Sequence, residues 1–179
     1  VEVKVPHGGV QVHFLRIGPQ GRIWAGASYV DAQKEERPWG IVVIGLDGKA
    51  LFHRSSTLPE EDRPSGSLAL PDDLRDVSFL QGDLWLATGS GICHVIGKTQ
   101  KIVQITENEG LASELVYGIA RDPEGRLLVG TFGGLGRYDG KFWHFDFPAP
   151  LTSAARTMVP ARGGIMVATL WLSRKARTV

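Results

Sequence analysis

From Gly110 to Phe145 the chain reads Gly-Leu-Ala-Ser-Glu-Leu-Val-Tyr-Gly-Ile-Ala-Arg-Asp-Pro-Glu-Gly-Arg-Leu-Leu-Val-Gly-Thr-Phe-Gly-Gly-Leu-Gly-Arg-Tyr-Asp-Gly-Lys-Phe-Trp-His-Phe. Four short apolar runs stand out: Leu115 to Ala120, Arg126 to Thr131, Leu135 to Tyr138 and Lys141 to Phe145. Turn chemistry separates them, with Asp122-Pro123-Glu124-Gly125, then Gly133-Gly134, then Asp139-Gly140. Gly and Asp tolerate the positive φ of tight hairpins, and Pro123 presets a turn. Four strands joined by three hairpins predict one up-and-down antiparallel sheet.

Weaker copies of this pattern recur along the chain. The small-residue strand appears at Gly21-Arg-Ile-Trp-Ala-Gly-Ala27, Gly82-Asp-Leu-Trp-Leu-Ala-Thr88, Gly125-Arg-Leu-Leu-Val-Gly-Thr131 and Gly163-Gly-Ile-Met-Val-Ala-Thr169. The anchor glycines lie 61, 43 and 38 residues apart. The last two spacings approach the ~40–45 residues of a four-stranded propeller blade. The first is longer because two polar segments, 28–39 and 55–73, fall between strands, where an insertion costs little. The expected fold is all-β: a propeller of four-stranded antiparallel blades with about four repeat units, forming a partial propeller. The whole of 1–179 reads as one propeller region. Its units fall near 10–54, 74–106, 115–147 and 156–179, with an N-terminal strand at 1–5. An antiparallel sandwich also has short strands and regular turns, but the repeated Gly-x-apolar-Trp/Leu-x-Ala/Gly-Thr period favours the propeller. In such a fold the second strand is buried on both faces and reads as a continuous apolar run. Small residues (Ala25, Gly26, Ala87, Gly130, Ala168) are expected to let neighbouring sheets approach, with Trp24 and Trp85 filling the wedge further out.

The segment from Gly110 through Tyr138-Asp139-Gly140 resembles the two-component regulator propeller repeat. That family runs from a Gly-Leu-Pro-Ser-like start, through Val-x-x-Ile-x-x-Asp-x-x-Gly and Trp-[Ile/Val]-Gly-Thr, to Gly-Gly-Leu-x-Arg-Tyr-[Asp/Asn]-Gly. Here Ala112 replaces the usual Pro and Leu128 the usual Trp. The likeness is strong in this unit, moderate around Gly82 to Gly97 and weak in the first and last units, and it is shared loosely with NHL-type and lyase-type propellers. It implies an extracytoplasmic sensing module, periplasmic or extracellular, often placed ahead of a histidine kinase or a cyclase. Four units are fewer than that family's usual ring, so an open piece of a larger propeller is expected. Closure of a small ring by the alternating strand Val1 to Val5 is the alternative.

Composition narrows the function classes. Net charge is +1, with 20 basic and 19 acidic residues, and this balance argues against nucleic-acid binding. No apolar run approaches the ~18 residues of a membrane span, so no membrane insertion is expected. The one cysteine, Cys93, excludes an internal disulfide.

Candidate ligand-binding residues lie on or beside the first strand of each unit, which lines a propeller's channel: His13, Arg16, Arg75, Asp76, Tyr117, Arg121 and Arg156. Polar groups converging from several blades are where such folds bind ligands. Asp122 reads as the cap of its own turn rather than a base. The five histidines show no ligand spacing, so no metal site is expected. Cys93 and His94, adjacent on a strand, point to opposite faces and do not form a nucleophile–base pair. No catalytic residues and no cofactor are assigned. Tyr29 and Trp39 bracket the first polar segment, where an aromatic ring folds back over the blade or, in the rival reading, stacks on a sugar. The expected partner is therefore a small molecule or carbohydrate, or a protein. A ligand-sensing or protein-binding module is the favoured reading. The rivals are a metal-dependent lyase- or lactonase-type enzyme, disfavoured by an Arg-rich channel that suits anions, and a pure interaction scaffold.

Overall fold

The computed structural model describes residues 10–30, 33–54, 70–71, 73–141, 143–145, 155–161 and 164–169. The N-terminal strand expected at 1–5, most of the 55–73 segment and the chain after 169 lie outside the described residues.

The strands form sheets in strict chain order. The first sheet holds β1 (Val10–Ile17), β2 (Ile23–Val30), β3 (Glu36–Ile44) and β4 (Ala50–Arg54). The second holds β5 (Leu74–Leu80), β6 (Asp83–Thr88), β7 (Gly91–Ile96) and β8 (Lys101–Ile105). The third holds β9 (Val116–Arg121), β10 (Leu127–Thr131), β11 (Gly134–Tyr138) and β12 (Trp143–His144). The last has β13 (Ala155–Ala161) and β14 (Gly164–Thr169). Every pairing is antiparallel between consecutive strands. The first strands pack side by side, β1 with β5, β5 with β9 and β9 with β13. This is a partial β-propeller, and among the described residues its sheets do not close into a ring.

Three apolar wedges lie between successive blades. The first joins Phe14, Ile41 and Val43 of blade one to Val77, Leu84 and Leu86 of blade two. The second joins Trp85, Ala87 and Ile92 to Val116, Leu127 and Val129 of blade three. The third joins Ala120, Leu128 and Leu135 to Met158 of β13, with Ile165 and Val167 of β14 against it. Successive side chains of a strand point to opposite faces. Leu84 and Leu86 therefore meet blade one while Trp85 and Ala87 meet blade three, and β10 divides its residues in the same way. Double-sided burial is the physical reason for an unbroken apolar run in the second strand. On β2 the alternation continues with cover on one side: Trp24 packs toward blade two, against Phe79 at 4.9 Å, while Ile23 stays 38% exposed.

The repeated threonine closes the hairpin after the second strand. Thr131 donates its hydroxyl to the Gly134 carbonyl (3.0 Å) and accepts from the Gly133 N–H (3.1 Å). Thr88 does the same with Gly91 (2.8 Å) and Ser90 (3.1 Å). Both threonines are fully buried, so these bonds satisfy groups that water cannot reach.

Two local readings need correction. The 28–39 segment is not a loop throughout: β2 runs on to Val30 and β3 begins at Glu36, with Ser28 opposite Pro38 and Tyr29 opposite Arg37. Cross-strand bonds join backbone groups and tolerate charged side chains beyond the core. Gly26 also acts differently from the expectation of close sheet approach. A Cβ at Gly26 would stand 2.1 Å from the ring of Phe14, its cross-strand partner in the same sheet. At Gly136 the nearest atom would be Phe145, 2.5 Å away in the same unit. An aromatic ring of the glycine's own unit fills the space. Ala87 keeps the expected role in the blade two–blade three wedge.

Cys93 is fully buried in the first wedge, and burial pushes its thiol up to about 11. A thiol is reactive as its thiolate. Native protein at pH 8 is therefore expected to resist a thiol reagent, with one thiol titrating once denaturant is added. Rapid labelling of the native chain would contradict that packing.

Candidate functional site in the channel

Each of the four first strands carries a β-bulge at its early part. Val12 pairs with Ala27 and Phe14 with Gly26, leaving His13 without an opposite residue. The same skip leaves out Arg75 between Leu74 and Asp76, Tyr117 between Val116 and Gly118, and Arg156 between Ala155 and Thr157. A bulge re-aims a side chain and ends regular pairing. Four of the seven candidate residues thus occupy one equivalent position, repeated in every blade.

Within this tier the Arg75 guanidinium lies over the Tyr117 ring, 5.1 Å from its centroid. Arg75 also donates to both carboxylate oxygens of Asp73, at 2.8 and 3.2 Å. His13 Nε2 lies 2.8 Å from the Ser28 hydroxyl and is hydrogen-bonded to it. Arg156 is placed on β13 by its backbone, and its side chain lies outside what is described.

The second tier sits further along the same strands. Asp76 is buried, with 4% of its side chain exposed. It accepts from Arg16 Nη2 of β1 at 2.9 Å, from its neighbour Val77 N–H at 2.8 Å, and from the Ile119 N–H of β9 at 3.1 Å. One carboxylate thereby ties three blades together. Burial raises its pKa above the ordinary 3.8, against the lowering effect of the Arg16 charge and the two N–H bonds.

Beyond this latch opens a cleft of about 470 Å³, lined from all four sheets: Arg16 from β1, Ser78 and Phe79 from β5, Ile119 and Arg121 from β9, and Met158 from β13. Its volume falls in the range of small-molecule sites. The structure therefore brings Arg16, Asp76 and Arg121 to one end of the channel and groups His13, Arg75, Tyr117 and Arg156 at the other tier. Ser78 and Phe79 were not singled out from sequence. Their positions three and four residues after the bulged Arg75 on the same first strand were the available signal.

Asp122 holds its own turn, as expected. It accepts from the Arg126 backbone N–H at 2.7 Å and the Arg126 Nε at 2.6 Å, while Arg126 also pairs with Glu124. Burial works against the Asp122 carboxylate, but the Arg126 bonds and charge outweigh it and its pKa is lowered. His94 stacks on Trp85 with ring centroids 3.8 Å apart and bonds Asp83 at 2.8 Å, on the opposite face from Cys93. Among the described residues no three His, Cys, Asp or Glu side chains come together as a metal cage.

The arrangement defines a class, the β-propeller with a channel-side cleft. A more particular likeness lies in the third blade: residues 110–133 match the family described as two component regulator propeller. No curated protein matches the chain. Among solved structures it is similar to the extracellular domain of a B. thetaiotaomicron protein, BT3049, described as a hybrid two component system, at 21% identity and a TM-score of 0.63. That likeness covers 88% of this chain and 20% of that one. The extracellular domain of BT4673 from the same organism, also described as a hybrid two component system, is similar at 17% identity and a TM-score of 0.56, with 88% and 25% covered. Virginiamycin B lyase from Staphylococcus aureus follows at 16% and 0.54, with 88% and 48% covered. At these identities the likeness is one of fold, and the chain spans about a fifth to a quarter of the two sensor-system domains.

Proposed function

We propose that this propeller is a sensor module of the extracytoplasmic kind and that it takes a small-molecule ligand in the channel-side cleft. The observation that carries this reading is the lining of the cleft by the first strands of all four sheets. A ligand held there touches every blade, so its occupancy is felt by the whole arc. The Two component regulator propeller match and the sensor-system neighbours support the reading. The lyase-type alternative has less to draw on. His13 is bonded to Ser28 and Asp76 to Arg16, on different tiers.

Chemical-shift mapping with a small-molecule and sugar panel tests the proposal. Ligands are expected to shift the backbone amides of Ser78, Phe79, Ile119 and Arg121. Shifts confined to the outer strands β4, β8 and β12 would remove the channel from the argument. A protein partner is the second reading, favoured by Phe132 (57% exposed) and Leu115 (39%), which meet where the Phe132 N–H donates to the Leu115 carbonyl at 2.9 Å. Shifts around that pair on adding a partner protein would support it.

A further inference from the structure

We propose that the ligand of the cleft is a small organic anion, gripped by Arg121 with Arg16 beside it; this rests on the reading of the cleft as the ligand site. Among the described residues, the charged ones lining the cleft are two arginines, Arg16 on β1 and Arg121 on β9, and none of the described lining residues carries a carboxylate. Arg16 is already neutralised. One Nη holds Asp76 at 2.9 Å and the other donates to the Leu15 carbonyl at 3.0 Å. Arg121 has no ion pair or hydrogen bond among the described residues, in contrast to Arg75, held by Asp73, and Arg126, held by Asp122 and Glu124. Among the described residues the cleft therefore carries one uncompensated positive charge.

The rest of the wall is mostly apolar: Ile17, Phe79, Ile119 and Met158. Low-dielectric walls strengthen the field of a lone cation and concentrate anions at it. A guanidinium offers paired N–H donors that match the two oxygens of a carboxylate or phosphate. The Ser78 hydroxyl on the same wall can donate to the ligand or accept from it. The fit is to an anionic head on Arg121 and an apolar or ring-shaped body against Phe79 and Met158. Because Arg16 both lines the cleft and holds Asp76, an anion drawn toward Arg16 competes with the Asp76 carboxylate that ties blades one, two and three. Occupancy of the cleft is thereby coupled to how firmly the blades are joined.

The test uses the full chain and paired probes: benzoate with benzamide, phenyl phosphate with phenol, and glucuronate with glucose. Fragments of this size bind at about millimolar strength, which titration by NMR reads. At least one anion is expected to bind roughly tenfold or more tightly than its neutral partner, and to weaken with added salt. Arg121→Gln should remove that preference, and Arg121→Lys should keep part of it. Arg121 is exposed, so neither variant threatens folding. Ile17→Trp, at a position 81% exposed on the cleft rim, should weaken every cleft ligand by crowding its entrance. Equal binding of charged and neutral probes, weakened by Ile17→Trp and indifferent to Arg121→Gln, would overturn the anion while leaving the cleft as the ligand site. Binding indifferent to Ile17→Trp and mapping elsewhere would overturn the cleft reading itself. Absence of binding by every anion at tens of millimolar would also overturn the anion proposal.

Discussion

Trp85→Ala is expected to lower the unfolding free energy by about 3–5 kcal/mol, the range for truncating a buried large aromatic. The indole is 3% exposed. It lies flat on His94 at 3.8 Å, meets Tyr138 at 5.4 Å and makes a T-shaped contact with Trp143 at 6.5 Å, so it closes the wedge between blades two and three. Truncation to Ala leaves a void that the two sheets fill only by sliding together, against their own hydrogen-bond ladders. The Trp85 indole N–H is buried and makes no hydrogen bond among the described residues. Trp85→Phe therefore keeps most of the packing and sacrifices no polar contact, and is expected to cost clearly less than Ala. Denaturant unfolding of the wild type and both variants provides the measurement. A loss below about 1 kcal/mol for Trp85→Ala would mean that the wedge is not consolidated, and the account of two-faced burial on β6 would fall with it.

The repeat unit was legible because hairpin turns and strand alternation are local. Gly134 and Gly140 adopt the positive φ that their turns demand, 120° and 99°, and such demands leave a mark on composition. The run Leu84-Trp85-Leu86-Ala87 likewise announces burial on both faces. What sequence did not disclose is set by pairing across distance. The bulges at His13, Arg75, Tyr117 and Arg156 arise from register against the second strand, which no single strand encodes. Arg16 and Asp76 both belonged to the channel set, yet their contact spans 60 residues and two blades. Without the fold, nothing marks Asp76 as buried rather than solvated. The extension of β2 and β3 through 28–30 and 36–39 was hidden by charge on side chains, to which backbone pairing is indifferent.

Asp76→Ala is the second large effect, an expected loss of about 3–5 kcal/mol, as for breaking a buried ion pair by removing one partner. Three donors lose their acceptor at once: Arg16 Nη2, the Val77 N–H and the Ile119 N–H. Arg16, with 32% of its side chain exposed, regains water in part, but the two amides lie at buried residues and have no such recourse. Arg16→Leu combined with Asp76→Leu is thus expected to recover only part of the loss, because the orphaned amides remain. The pH dependence separates burial from ion pairing. Burial holds the Asp76 pKa above 3.8 in the folded chain, so the folded state binds that proton more tightly than the unfolded one. Its contribution to stability then grows as pH falls from the folded pKa toward 3.8. Asp83 is held low mainly by the Gly97 N–H, with Asp122 held low by Arg126, and both act in the opposite sense: they stabilise above pH 3.8 and lose that contribution as pH falls. The gap between wild type and Asp76→Ala is therefore expected to widen toward pH 3.8 even as both proteins weaken in acid. A gap that narrows in acid would show that the Arg16 charge, not burial, governs the carboxylate. The latch between the blades would then be an ion pair first and a buried acceptor of backbone bonds second.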